Sequence, residues 1–148
     1  MTEIRGILKK EFVTLQLSAT SKTTAISELA NTFVKEGVVT NENAYLSAVM
    51  TREKESTTGI GFGVAIPHGK SAGVVEPALA FGRSQTGIEY DSMDGKPVHF
   101  LFLIAVPEHS NDEHLRILSK LSRKLMHEDV RKQLMDAATV EHIYQIFE

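Results

Sequence analysis

Apolar and polar positions divide the chain into stretches of different period. From Thr23 to Lys35 the apolar residues Ala25, Ile26, Leu29, Ala30 and Phe33 recur at three and four residues, which places them on one face of a helix that Gly37 is positioned to stop. Asn41 or Asn43 can cap a second helix, in which Ala44, Leu46, Ala48, Val49 and Met50 lead to the charged end Arg52-Glu53-Lys54-Glu55. Ahead of both, Phe12-Val-Thr-Leu-Gln-Leu17 alternates after its first pair, as a half-buried strand does, and Ser18 to Ser21 turn the chain.

Further along, Pro77 to Arg83 and Pro97 to Val106 read as strands. The second carries Phe100 to Val106 without a charge, the pattern of a central strand covered on both faces. Pro107 closes it. Ser110 and Glu113 then offer a capping box, a hydroxyl at the cap and a carboxylate three residues on. The helix that follows should bury Leu115, Leu118, Leu121 and Leu125, with His114 in its first turn beside that apolar face. Two shorter helices, about 128 to 136 and 139 to 147, complete the pattern. Strands and helices alternate irregularly, so the expected fold class is α/β, a mixed sheet sandwiched by helices. Strand order is not readable at this level.

No internal repeat, low-complexity tract or linker-like stretch interrupts the 148 residues, which predicts one domain over 1–148. A net charge of -3 brings no basic excess of the kind that nucleic acid or an anionic membrane attracts. The start, Met1-Thr-Glu-Ile-Arg, has no charged-then-apolar leader, and no later run approaches a membrane span. The expectation is a cytoplasmic protein. With no cysteine, thiolate chemistry and cysteine-based metal sites are excluded, and covalent chemistry falls to histidine, carboxylate, lysine or hydroxyl.

Two features remain to be explained. Gly59-Ile-Gly61-Phe-Gly63 has neither the order nor the following helix of a nucleotide-binding loop. A tight turn or a close strand approach accounts for it; the alternative is a backbone cradle for an anion. In Pro67-His68-Gly69, Pro67 fixes one backbone angle, Ile66 is pushed to an extended conformation, and Gly69 admits close approach behind the histidine. The His68 imidazole is thus held at a strand end. Neutral imidazole keeps a free lone pair near pH 7 and is a nucleophile suited to accepting a phosphoryl group, although a structural histidine is equally open on local grounds. His114, at a helix N-terminus, can donate to a phosphoryl oxygen, or simply pack on the leucines. Arg52 offers a planar fork for two phosphate oxygens, or is an ordinary exposed arginine. Convergence on His68 would distinguish these readings.

Taken in order, Arg52-Glu53, Ser56-Thr57-Thr58-Gly59-Ile60-Gly61, Val64-Ala65-Ile66-Pro67-His68-Gly69 and His114-Leu115 resemble the enzyme IIA family of the fructose/mannitol type, part of the phosphoenolpyruvate-dependent sugar phosphotransferase system. The resemblance covers nearly the whole chain. It implies a phosphotransferase/anion-transport-protein-like fold, His68 as the phosphorylated histidine, and His114 and Arg52 as the phosphate-supporting pair. The implied donor is the phosphohistidine carrier HPr. The implied acceptor is a cysteine of a sugar-specific enzyme IIB, and through it the membrane enzyme IIC, with no cofactor. Fructose, mannitol and galactitol stay open as the sugar.

Rival readings are a nitrogen-related regulatory relative, whose phosphorylation state controls other proteins, and a small metallohydrolase using His68, His109, Asp112 and His114. A binding module in which the histidines are idle is a third.

Overall fold

The uncharged run expected at the centre of the sheet is there. It forms β6, Val98–Pro107, hydrogen-bonded along one side to antiparallel β5, Ala78–Ile88, and along the other to two parallel strands, β3, Val64–Ala65, and β4, His68–Ser71. These belong to a computed structural model that describes residues 4–110 and 112–147. A two-residue β1, Val13–Thr14, pairs with β5, and β2, Gly59–Gly61, pairs with β3, giving the order β1-β5-β6-β3-β2, with β4 also on β6.

Successive β6 residues point to opposite faces, and each face meets its own core, so from Phe100 to Val106 every residue is apolar. Leu101, Leu103 and Ala105 pack against α2, Lys22–Lys35, and α3, Glu42–Glu55. Phe100, Phe102, Ile104 and Val106 pack against α4, Glu113–Leu125, α5, Glu128–Asp136, and α6, Val140–Ile146. The result is an α/β sandwich. A short α1, Ile4–Ile7, was not expected from the pattern.

Helix α2 buries the five residues its period predicts, and Gly37 leaves it at φ 75°. Asn41, and not Asn43, caps α3, its side chain accepting from the Ala44 N–H at 3.1 Å. Three expectations change. The strand predicted over 12–17 is only Val13–Thr14, because the Leu15 carbonyl is taken by the Arg83 side chain at 3.0 Å instead of by a ladder partner. The N-cap of α4 is Asp112 rather than Ser110; the Glu113 side chain that the capping box needs lies outside the described residues. On α4 the buried stripe is Ile117, Leu121 and Leu125, while Leu115 is 54 % exposed. No helix among the described residues is long and apolar enough to cross a membrane.

Candidate active site

Strands β3 and β4 are two parts of one line along β6, broken at Ile66-Pro67. Val64 and Ala65 pair with Phe100 and Leu101; pairing resumes with His68 opposite Ile104. Pro67 has no N–H to give the ladder, but its carbonyl accepts from Ile104 N–H at 3.0 Å, and the Ile66 N–H donates to the Thr58 carbonyl at 3.0 Å. The Ile66 carbonyl is left for another donor. That donor is the His68 ring, whose Nδ1 lies 3.0 Å away. A carbonyl only accepts, so Nδ1 carries the proton and Nε2 keeps the lone pair.

Gly69 turns the opposite way. A Cβ there would fall 2.7 Å from Val49 Cγ2 and 3.1 Å from Tyr45 Cε1, so glycine is what lets β4 lie against α3. The buried Tyr45 hydroxyl donates to the Ile104 carbonyl at 2.7 Å, tying α3 to the β6 residue opposite His68.

With α3 on one face and α4 on the other, an open cleft of about 450 Å³ forms where both meet β4. Helix α3 brings Arg52 and Thr51 to it, β4 brings His68 and Lys70, and α4 brings His114, Leu115 and Leu118. The three residues singled out in the sequence therefore share one cavity. The His68 and His114 rings lie 6.0 Å apart between centroids, inclined by 27°. Arg52 Nη1 donates to the Ser56 carbonyl at 2.8 Å, which anchors one arm of its fork.

Burial, the largest effect, pulls the His68 pKa below its ordinary value, and the Arg52 charge adds to this; the hydrogen bond to Ile66 and the negative Glu53 act against it. His114 is lowered by burial first, then by the charges of His68 and Lys70. Its Nδ1 is buried with no hydrogen-bond partner among the described residues. Both rings are thus biased to the neutral form, and the cleft gathers two imidazoles, the Arg52 guanidinium, the Lys70 ammonium and the Glu55 carboxylate.

Composition gave no signal for Lys70, which only its two-residue spacing from His68 along a strand could have suggested. The glycine stretch forms the β2–β3 hairpin, with Gly61, Phe62 and Gly63 all at positive φ. That is the tight-turn reading; its residues do not line the His68 cleft. The metal set does not assemble: among the described residues no three histidine or carboxylate side chains are placed to hold an ion.

Fold and cleft together define an α/β sandwich that holds an imidazole, biased to the neutral form, beside the side chains of Arg52, Lys70 and His114. Residues 6–148 match the family model described as phosphoenolpyruvate-dependent sugar phosphotransferase system, EIIA 2. The chain belongs to that family, and is a phosphoryl-carrier component of the EIIA kind. It is 43 % identical over 146 residues to a fructose-specific EIIA component of Haloferax volcanii, covering 99 % of this chain and 95 % of that one. It is likewise 43 % identical over 144 residues to a fructose-specific EIIABC component of Bacillus subtilis, covering 97 % of this chain but 23 % of that longer protein. Among solved structures, the nitrogen regulatory protein IIA-Ntr of Neisseria meningitidis superposes with a TM-score of 0.90 at 34 % identity, covering 98 % and 99 % of the two chains.

Proposed function

We propose that residues 1–148 act as one cytoplasmic EIIA unit in which His68 accepts a phosphoryl group from phosphorylated HPr and passes it to a cysteine of an enzyme IIB, and through it to sugar taken up by the membrane enzyme IIC. The observation that carries this reading is the Ile66–His68 hydrogen bond, since it fixes the tautomer with Nε2 as the nucleophile on a ring that lines the cleft.

The step balances without metal or base. Nε2 attacks phosphorus as the bond from phosphorus to the donor's ring nitrogen breaks; no proton leaves His68, because Nδ1–H stays on the Ile66 carbonyl. That carbonyl then faces the positive charge the phosphorylated ring acquires. The free arm of Arg52, the outer nitrogen of His114 and the Lys70 ammonium meet the charge on the equatorial oxygens, so catalysis is chiefly placement and electrostatics. Transfer onward reverses the geometry toward a thiolate.

Fructose is the sugar this reading favours, on the 43 % identity to two proteins named fructose-specific. The likeness to the Neisseria regulatory protein supports a second reading, in which the phosphorylation state of His68 controls other proteins. Incubation with phosphorylated HPr should add one phosphoryl group to the wild type and none to His68→Ala. Full labelling of the variant sinks the assignment. Transfer from the labelled protein to a fructose IIB, against a panel of other IIB proteins, separates transport from regulation.

A further inference from the structure

Glu53 follows Arg52 in sequence but turns into the protein, where its side chain is 2 % exposed. Three segments converge on it. The Lys22 ammonium from the start of α2 lies 2.9 Å from Oε1, and Thr58 N–H donates to the same oxygen at 3.3 Å. The Thr58 hydroxyl donates to Oε2 and stands 3.0 Å from the Tyr90 hydroxyl, while the Lys22 ammonium lies 4.5 Å from the centre of the Tyr90 ring. A buried carboxylate paired with a part-exposed ammonium is weak evidence of stability, because desolvating the carboxylate offsets much of the attraction. Its reason for being there is better sought in what it holds.

What it holds is Thr58, and Thr58 leads to the reacting ring. Glu53 fixes Thr58 by its N–H and its hydroxyl; the Thr58 carbonyl receives the Ile66 N–H at 3.0 Å; the Ile66 carbonyl receives His68 Nδ1 at 3.0 Å. We infer that Glu53 is a positioning residue for His68, acting through Thr58 and Ile66 to aim the carbonyl that sets the imidazole's tautomer and ring orientation. The inference rests on reading His68 as the phosphoryl acceptor.

At Ile66-Pro67 the strand loses its regular pairing, so the direction of the Ile66 carbonyl depends on two flanking bonds. One is from Ile104 N–H to the Pro67 carbonyl, and the other is from Ile66 N–H to the Thr58 carbonyl. The first is held by the sheet. The second is only as firm as Thr58, which sits in the connection between α3 and β2 and is clamped there by Glu53. Loosening that clamp frees the Ile66 carbonyl to tilt, and the ring to take the other tautomer or flip. The fraction of chains with Nε2 presented as a nucleophile then falls. The carboxylate's own field on His68 favours a positive ring and so works against the neutral nucleophile; the part Glu53 plays is positional.

The test uses Glu53→Gln in the whole chain, with imidazole nitrogen NMR of His68 and saturation kinetics against phosphorylated HPr. The expected result is a mixed tautomer in place of Nδ1–H, with the rate at saturating donor lowered roughly 10- to 100-fold, the range for a small misplacement of a reacting group. The donor concentration for half-saturation should hold, since the docking surface is untouched. Thr58→Val should reproduce the defect and Thr58→Ser should escape it, and the valine variant decides the matter should the glutamine variant not fold. A folded variant that melts earlier but keeps the Nδ1–H tautomer and the wild-type saturated rate overturns the inference. If the wild type takes no phosphoryl group at all, the functional reading fails, while the NMR comparison still reports whether Glu53 sets the ring.

Discussion

The imidazoles of His68 and His114 stand 6.0 Å apart on a strand and a helix that approach from different sides of one cleft. Burial lowers the pKa of each, and each folded value therefore lies below the unfolded one. Between the two values the unfolded chain binds more protons than the native one, so this contribution to stability is complete above about pH 6.5 and is lost as pH falls below it. The nucleophile follows the same sign. Phosphoryl acceptance should persist as pH drops through 6.5 and fail only lower, where His68 gains its proton. Labelling rates against pH, compared with an NMR titration of the two rings, check this; a midpoint at or above 6.5 contradicts it.

Arg52 and His114 are assigned different parts in the proposal, and their variants should differ accordingly. Arg52 has one arm on the Ser56 carbonyl, so the other is pre-aimed at the cleft. Arg52→Lys keeps charge but loses both the anchor and the fork, and an intermediate loss of labelling rate, of about 10-fold, is expected. His114→Ala removes a donor to the transition state and should cost roughly 10²- to 10³-fold. Stopped-time labelling with phosphorylated HPr measures both, and an unchanged rate for Arg52→Lys removes that residue from the site.

Much of this arrangement was legible because it is local. The period of α2, an asparagine cap on α3 at Asn41 or Asn43, the apolar β6 and the Pro67-His68-Gly69 strand end are written in adjacent residues, and the structure reproduces them, choosing Asn41 for the cap. The family resemblance then named Arg52 and His114, and the structure brings both to the His68 cleft. What could not be read depends on contacts far apart in sequence. Glu53 looked like one more charge at a helix end, and only its meeting with Lys22, Thr58 and Tyr90 shows it buried. Leu115 fits the leucine period of α4, yet it lies at the cleft rim, because the helix is rotated to bury Ile117 instead. A period of leucines does not say which neighbour supplies the wall.

Gly69→Ala tests how closely β4 must lie on α3. The added methyl would meet Val49 Cγ2 at 2.7 Å and Val49 N at 3.2 Å. The first contact can yield by a rotamer change. The second is backbone of a helix pinned by the Tyr45 hydroxyl, so β4 must move outward and carry His68 with it. A loss of about 1–3 kcal/mol in stability is expected, with slower labelling. Combining it with Val49→Ala should restore part of the stability in chemical denaturation; no recovery would place the strain elsewhere.

Arg83 provides the contrasting case, a buried cation remote from the cleft. It lies on β5, is 7 % exposed, and has no carboxylate partner among the described residues. Its Nε donates to the Leu15 carbonyl at 3.0 Å, and its Nη1 lies 2.9 Å from the Leu134, 3.3 Å from the Met135 and 2.6 Å from the Ala137 carbonyl oxygens. These last carbonyls are at the C-terminal end of α5, where helix oxygens lack partners and the dipole favours a positive charge. One guanidinium thus closes a helix end and replaces the strand pairing that β1 loses after Thr14. Arg83→Met keeps the volume and removes every one of these donors. The expected cost is on the order of 3 kcal/mol, since carbonyls left buried and unpaired add to the lost charge-assisted bonds. Labelling of His68 at a temperature where the variant is folded should be unaffected. A melting temperature equal to that of the wild type would show that water or another donor serves those oxygens as well.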